Sequence, residues 1–311
     1  MPNDSNLPVY KPVMPDLSRN PNVKLAVSEI DAVFGNMLEN KQLTFDDVFA
    51  VSDPAAEQPI TVKCRVYFIS TMDAENILSL SQPFTEYDRA VQGAVASLWA
   101  VGNTVVTAST VYKVMTGVDP NTFHVTESQL KAVEDSLWKL YAIQAEVDFT
   151  EHAHACGIGG DQWVVDGSLV PQQKIRVLVN GESCRAYRLL APPLLYEYAD
   201  KVNQVLAIPV ELLRIGGSDT AWRIGVRMYL LRRILTKNPQ TTILYQSIYD
   251  AAAMDKDATK KQRSAIRAFV VSCLSALMQR GYITSWQPNV SSSGVYISIT
   301  FTRGTPPALS N

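Results

Sequence analysis

Residues 259–280 read TKKQRSAIRAFVVSCLSALMQR, and this one segment combines the two patterns that organise the chain. On a helical wheel Ile266, Phe269, Val270, Cys273 and Leu277 share one face, while Lys260, Arg263, Ser264 and Arg267, spaced i, i+3, i+4 and i+7, share its neighbour. Thr259 stands where a helix cap is expected, which puts Lys260, Lys261, Gln262 and Arg263 in the first turn. Immediately downstream, residues 282–286 and 295–301 flank a turn rich in Pro, Asn, Ser and Gly, the chemistry of a β-hairpin.

Working outward, residues 222–235 place Ile224, Met228, Leu231 and Leu235 at helical spacing, and residues 243–253 make a shorter helix. Helix, short helix, longer helix and hairpin is the order of a winged helix. The same order occurs earlier. Val91, Ala94, Val95, Leu98 and Trp99 mark a helix ending at Gly102-Asn103, residues 105–115 a short one, and residues 126–141 a longer one. Strand candidates follow at residues 143–149, 174–179 and 186–190. Laying Val111-Tyr112 on Ile248-Tyr249 aligns Val106 with Ile243 and Thr110 with Ser247.

The expected fold is therefore α+β: two tandem winged-helix domains, 83–203 and 204–311, after an N-terminal extension, 1–82. In the extension, the proline-rich residues 1–22 read as an unstructured leader and residues 27–37 as a short amphipathic stretch. Val62, Cys64, Val66 and Phe68 alternate with Lys63, Arg65 and Tyr67, which predicts a strand over residues 61–70. Residues 191–193, Ala-Pro-Pro, open a further helix through Leu195, Tyr198, Ala199 and Val202.

Charge is divided unequally. Residues 205–311 hold thirteen Lys or Arg against five Asp or Glu, a balance of +8 in a chain whose net charge is −2. Ordered positive charge in one part of a protein points to a polyanionic partner, and double-stranded DNA is the first candidate. On this reading Arg263 and Gln262 read bases, Lys260, Lys261 and Arg267 hold phosphates, Ser264 lies on the same face, and Arg223, Arg227 and Arg232 give secondary support. The third helix of the first copy displays Glu127, Lys131, Glu134, Asp135 and Lys139, which sum to −1, so that copy is expected to self-associate or to reach DNA through its wing.

The uncharged stretches 90–112 and 281–302 are too interrupted by polar residues to span a membrane. Four widely spaced cysteines with no CxxC pair suit a reducing cytoplasm.

The chain resembles the tandem winged-helix replication initiators of plasmids and integrative mobile elements. The likeness lies in residues 84–91 (FTEYDRAV), Gly102-Asn103 with 111–117 (VYKVMTG), 193–199 (PLLYEYA) and 229–234 (YLLRRI), within about residues 83–303. It implies binding to repeated origin sites, the C-terminal domain as main reader, the N-terminal one for self-association or a second DNA contact, and host replication proteins as further partners. The acidic first copy departs from this pattern. A transcriptional regulator on the same fold is the alternative.

No catalytic residue, cofactor or metal is assigned. Residues 157–160 lack dinucleotide spacing, and residues 216–220 lack a P-loop lysine. The most enzyme-like string is 151–161, EHAHACGIGGD: if extended, it would put His152, His154 and Cys156 on one face as three zinc ligands, whereas its plain reading is a polar wing of the first domain.

Overall fold

The computed structural model describes residues 22–26, 45–51, 60–68, 84–179, 181–217, 219–236, 240–255 and 257–305, with the first two segments as backbone alone. The expected amphipathic stretch 27–37 and residues 1–21 of the leader lie outside the described residues.

The elements run β1 (Asn22–Ala26), β2 (Phe45–Val51), β3 (Ile60–Phe68), α1 (Glu86–Ala100), β4 (Val105–Val106), α2 (Ala108–Thr116), α3 (Glu127–Ala142), β5 (Ile143–Asp148), α4 (Thr150–Ala155) and β6 (Val164–Ser168). They continue with β7 (Gln172–Val179), β8 (Glu182–Leu189), α5 (Tyr196–Lys201), β9 (Val205–Pro209), α6 (Ala221–Leu235), β10 (Thr242–Leu244), α7 (Tyr245–Ala251), α8 (Lys260–Gln279), β11 (Ile283–Val290) and β12 (Tyr296–Arg303). The result is a mixed α and β fold in which the described strands form four small antiparallel sheets.

The internal repeat is present in three dimensions. In each half a 15-residue helix, α1 or α6, leads to a short strand, a short helix and a long helix. Each half then closes a three-stranded sheet in which the short strand pairs with the last strand of a hairpin: β4-β8-β7 in the first and β10-β12-β11 in the second. The alignment of Val106 with Ile243 holds at the level of backbone, because each sits one residue before the N-cap of its short helix, Thr107 or Leu244. Both long helices start on the same device: Thr126 with Gln129, and Thr259 with Gln262, form reciprocal capping boxes that satisfy two otherwise orphaned donors. Residues 105–106, expected to open the short helix, instead form β4, since Thr107 caps the helix and leaves the β-branched pair to the sheet.

One expectation is corrected. Residues 143–148 follow α3 directly but are not part of the hairpin that pairs with β4; β5 joins β6, β3 and β2 in a four-stranded sheet. The cause is period-two burial on both sides of the pairing. Ile143, Ala145 and Val147 are buried, and in this register Ala145 and Val147 stand opposite Val66 and Cys64, also buried. Strand pairings also cross the expected boundaries at 82/83 and 203/204. Strand β3 of the extension completes the sheet of the first domain, and β1 pairs with β9 beyond the second boundary. One apolar cluster runs from Val62 to Phe301 through both halves.

The halves meet where α1 packs on α6, and Glu86 pairs with Arg232 across that junction. Gly225 permits close approach of α7, since a Cβ there would lie 2.5 Å from the Ala251 carbonyl oxygen. A second ion pair is buried within the first half: Lys139 Nζ lies 2.8 Å from Asp88 Oδ2, and Ser136 donates to Asp88 Oδ1 at 2.7 Å. This removes Lys139 from the surface charge expected on α3.

Candidate nucleic-acid interface

The structure places the cationic stripe as the wheel predicts. Ile266, Phe269, Val270, Cys273 and Leu277 are buried, while Lys260, Lys261, Gln262, Arg263 and Ser264 are exposed and Arg267 is half-buried. The first turn of α8 contains no acidic residue, in contrast to Glu86 and Asp88 in α1 and Glu127 in α3. Cations crowded at the positive end of a helix dipole cost stability, and the backbone N–H groups there favour an anion.

Sequence reasoning missed a tyrosine cluster beside the stripe. The Arg267 guanidinium lies 4.6 Å from the Tyr296 ring centroid and donates from Nη1 to the Tyr249 hydroxyl at 3.3 Å. Arg263 lies 5.9 Å from the Tyr249 ring. Tyr245 meets Tyr296 edge to face at 5.4 Å and 80° and lies 6.0 Å from Tyr249. Burial pushes the Tyr245 phenol up to about 12, so it keeps its proton near neutral pH. The available signal was the i, i+4 spacing of Tyr245 and Tyr249 on a short helix, with Tyr296 opening the last strand.

Several expected contacts have other roles. Arg227 is 1% exposed and is therefore not a phosphate contact: it donates to the Leu213 carbonyl, to the Gly217 carbonyl at 2.8 Å and to the Asp219 carboxylate at 2.8 Å. Arg232 is committed to Glu86 on α1, and Arg223 lies across the Trp222 and Phe269 rings at 5.1 and 5.5 Å. The apolar-face periodicity could not reveal this, because the acceptors come from the preceding loop and from the other half of the chain.

Gln262 is also reassigned. Its Oε1 accepts from the Thr259 N–H at 2.8 Å and the Thr259 hydroxyl at 2.9 Å, so the carbonyl needed for bidentate pairing with adenine is already used. Gln262→Ala is expected to lower stability by about 0.5–1 kcal/mol through the cap. Thermal unfolding together with binding to duplexes altered at single positions checks this. A base-specific binding loss without a stability change would return Gln262 to base reading.

In the first half the corresponding helix is acidic on its exposed face, with Glu127, Glu134 and Asp135 against Lys131. The adjoining hairpin carries exposed Lys174, Arg176, Arg185 and Arg188, and Arg185 pairs with Glu134 at 2.6 Å. Helix and hairpin border an open groove of about 680 Å³ lined by Glu134, Lys174, Arg176, Ser183, Cys184 and Arg185.

The histidine string is helical, not extended. His152, buried on α4, bonds through Nδ1 to the Tyr198 hydroxyl on α5, and Cys156 Sγ lies 3.8 Å from that nitrogen. His154 is exposed and its Nε2 lies 2.6 Å from the Gly160 carbonyl oxygen. The three side chains do not share the face an extended strand would give them, and α4 is not a wing strand. Among the described residues no three His, Cys, Asp or Glu side chains gather as a metal-holding group. No helix among them is long and apolar enough to cross a membrane.

No known family profile and no curated protein matches the chain. Among solved structures it is similar to two crystal structures of RctB domains 2 and 3. The first, of selenomethionine derivatives, has 10% identity and a TM-score of 0.40, covering 89% of this chain and 99% of that one. The second has 9% identity and a TM-score of 0.41, covering 85% and 92%. Likeness at this level assigns neither a family nor a function.

Proposed function

We propose that this protein is a sequence-specific binder of double-stranded DNA with no catalytic activity of its own, and that each half is built as a winged helix. The observation that carries the reading is the first turn of α8, where Lys260, Lys261 and Arg263 stand exposed at a positive helix end beside the β11–β12 hairpin. That element order and the sheet order β10-β12-β11 support the reading of a helix-turn-helix followed by a wing. The acidic face of α3 suits protein contact, so self-association is assigned to the first half, with its basic hairpin as a secondary DNA contact.

The resemblance to plasmid and mobile-element initiators makes repeated origin sites the preferred target and host replication proteins the further partners; a transcriptional regulator is the second reading. The test is titration of the full chain against a randomised duplex pool and then the recovered sequence, at several salt concentrations. We expect a recovered consensus and log K falling linearly with log salt, with a slope of about −0.9 for each phosphate held. Absence of duplex binding, or binding with no consensus, defeats the reading. Direct repeats beside an AT-rich stretch in the neighbouring DNA favour initiation, and an inverted repeat in a promoter favours regulation.

A further inference from the structure

We infer that Arg267 is the base-reading side chain of this surface, directed at guanine, and that Tyr249 and Tyr296 are the positioning residues that hold its guanidinium for that task. The inference rests on the duplex-DNA reading above. A cation that meets phosphate needs charge and reach but no fixed orientation. Pairing with guanine O6 and N7 needs two parallel N–H groups in one plane at one angle, which a guanidinium supplies only when its plane is set.

Of the four cations in the first two turns of α8, Lys260, Lys261 and Arg263 are exposed in the first turn, while Arg267 sits about one turn further along and is half-buried. The Tyr296 ring centroid lies 4.6 Å from the guanidinium carbon, and the Tyr249 hydroxyl accepts from Nη1 at 3.3 Å, so two contacts from separate elements restrict the group's rotation. The ring contact uses no N–H donor and the Tyr249 bond uses one on Nη1, which leaves the Nε–Nη2 edge of the fork for a base edge. The supports are themselves held: Tyr296 rests edge to face on Tyr245, which is buried at the start of α7. Helix α8, helix α7 and the hairpin therefore meet at one side chain, and its ordering cost falls on folding and not on binding. This exchanges the roles expected from sequence, where Arg263 read bases and Arg267 held phosphate.

The experiment measures the full chain and its variants against the recovered site and every single-base-pair change of it. Arg267→Lys keeps the charge and removes the fork. It is expected to abolish a preference of about 5- to 150-fold at one G·C pair and to leave the salt slope unchanged. Tyr296→Ala and Tyr249→Phe should weaken the preference at that same pair several-fold, whereas Tyr296→Phe, which retains the ring, should keep it.

Undiminished preference at every pair in Arg267→Lys overturns the assignment. A salt slope flattened by about 0.9 in Arg267→Ala, with all preferences retained, also overturns it by making Arg267 a phosphate contact. Preference undiminished in Tyr296→Ala overturns the positioning role even if Arg267 reads the base. A wild-type chain with no consensus defeats the duplex reading itself, a result distinct from any variant behaviour. Tyr249→Phe and Arg267→Lys keep the test sound should Tyr296→Ala fail to fold: preference undiminished in Tyr249→Phe then overturns the positioning role.

Discussion

Replacing Lys260, Lys261 and Arg263 together with alanine is expected to flatten the dependence of log K on log salt by about 2.7, since each phosphate released from a cation removes about 0.9 from the slope. If the affinities of variant and parent converge near 1 M salt, that slope difference amounts to about 500-fold at 0.1 M. The weakening should fall equally on specific and random duplexes, because cations that hold phosphates carry no sequence information. Folding should be little affected. All three side chains are exposed, and removing cations from the positive end of α8 relieves an unfavourable interaction with the helix dipole. Unchanged affinity and slope would make the stripe a solvated face and remove the principal support for DNA binding.

Arg227→Ala should have the opposite signature: a large stability effect with no change in salt slope for the folded fraction. Arg227 brings the Leu213 and Gly217 carbonyls and the Asp219 carboxylate to one guanidinium in the core of the second half. Its removal leaves a carboxylate without its cation and two carbonyls without a donor, a change that typically costs about 3–5 kcal/mol. Phe269, whose ring lies 5.8 Å from the guanidinium, would lose packing as well. A lower thermal midpoint and raised sensitivity to denaturant are the expected readouts. A variant with parental stability and a flattened salt slope would instead place Arg227 on the DNA surface.

These two variants separate residues that look equivalent in sequence. Arg227 and Arg263 are both arginines on helices of the basic half, yet one joins a loop to a core and the other faces outward. Composition located the positive charge correctly but could not apportion it. Which cations are committed depends on acceptors contributed by Leu213, Gly217, Asp219 and, for Arg232, by Glu86, which is 146 positions away in sequence.

By itself, the sequence determined the features governed by local rules: the apolar and basic faces of α8, the Thr259 cap, the alternating strand around Cys64, and the repeat register that aligns Val106 with Ile243. Each depends on residues within a few positions of one another, where helical or period-two spacing and cap chemistry suffice. Tertiary structure alone decided the partners of the strands. Strands β5 and β3 are joined because two half-buried strands cover each other's apolar alternation, and β1 reaches β9 across the whole first half. It also turned the histidine string into a helix, took Arg227 and Lys139 out of solvent, and brought Tyr249 and Tyr296 from separate elements onto Arg267. Pairings of this kind depend on complementarity between distant segments, which no pattern within a single segment encodes.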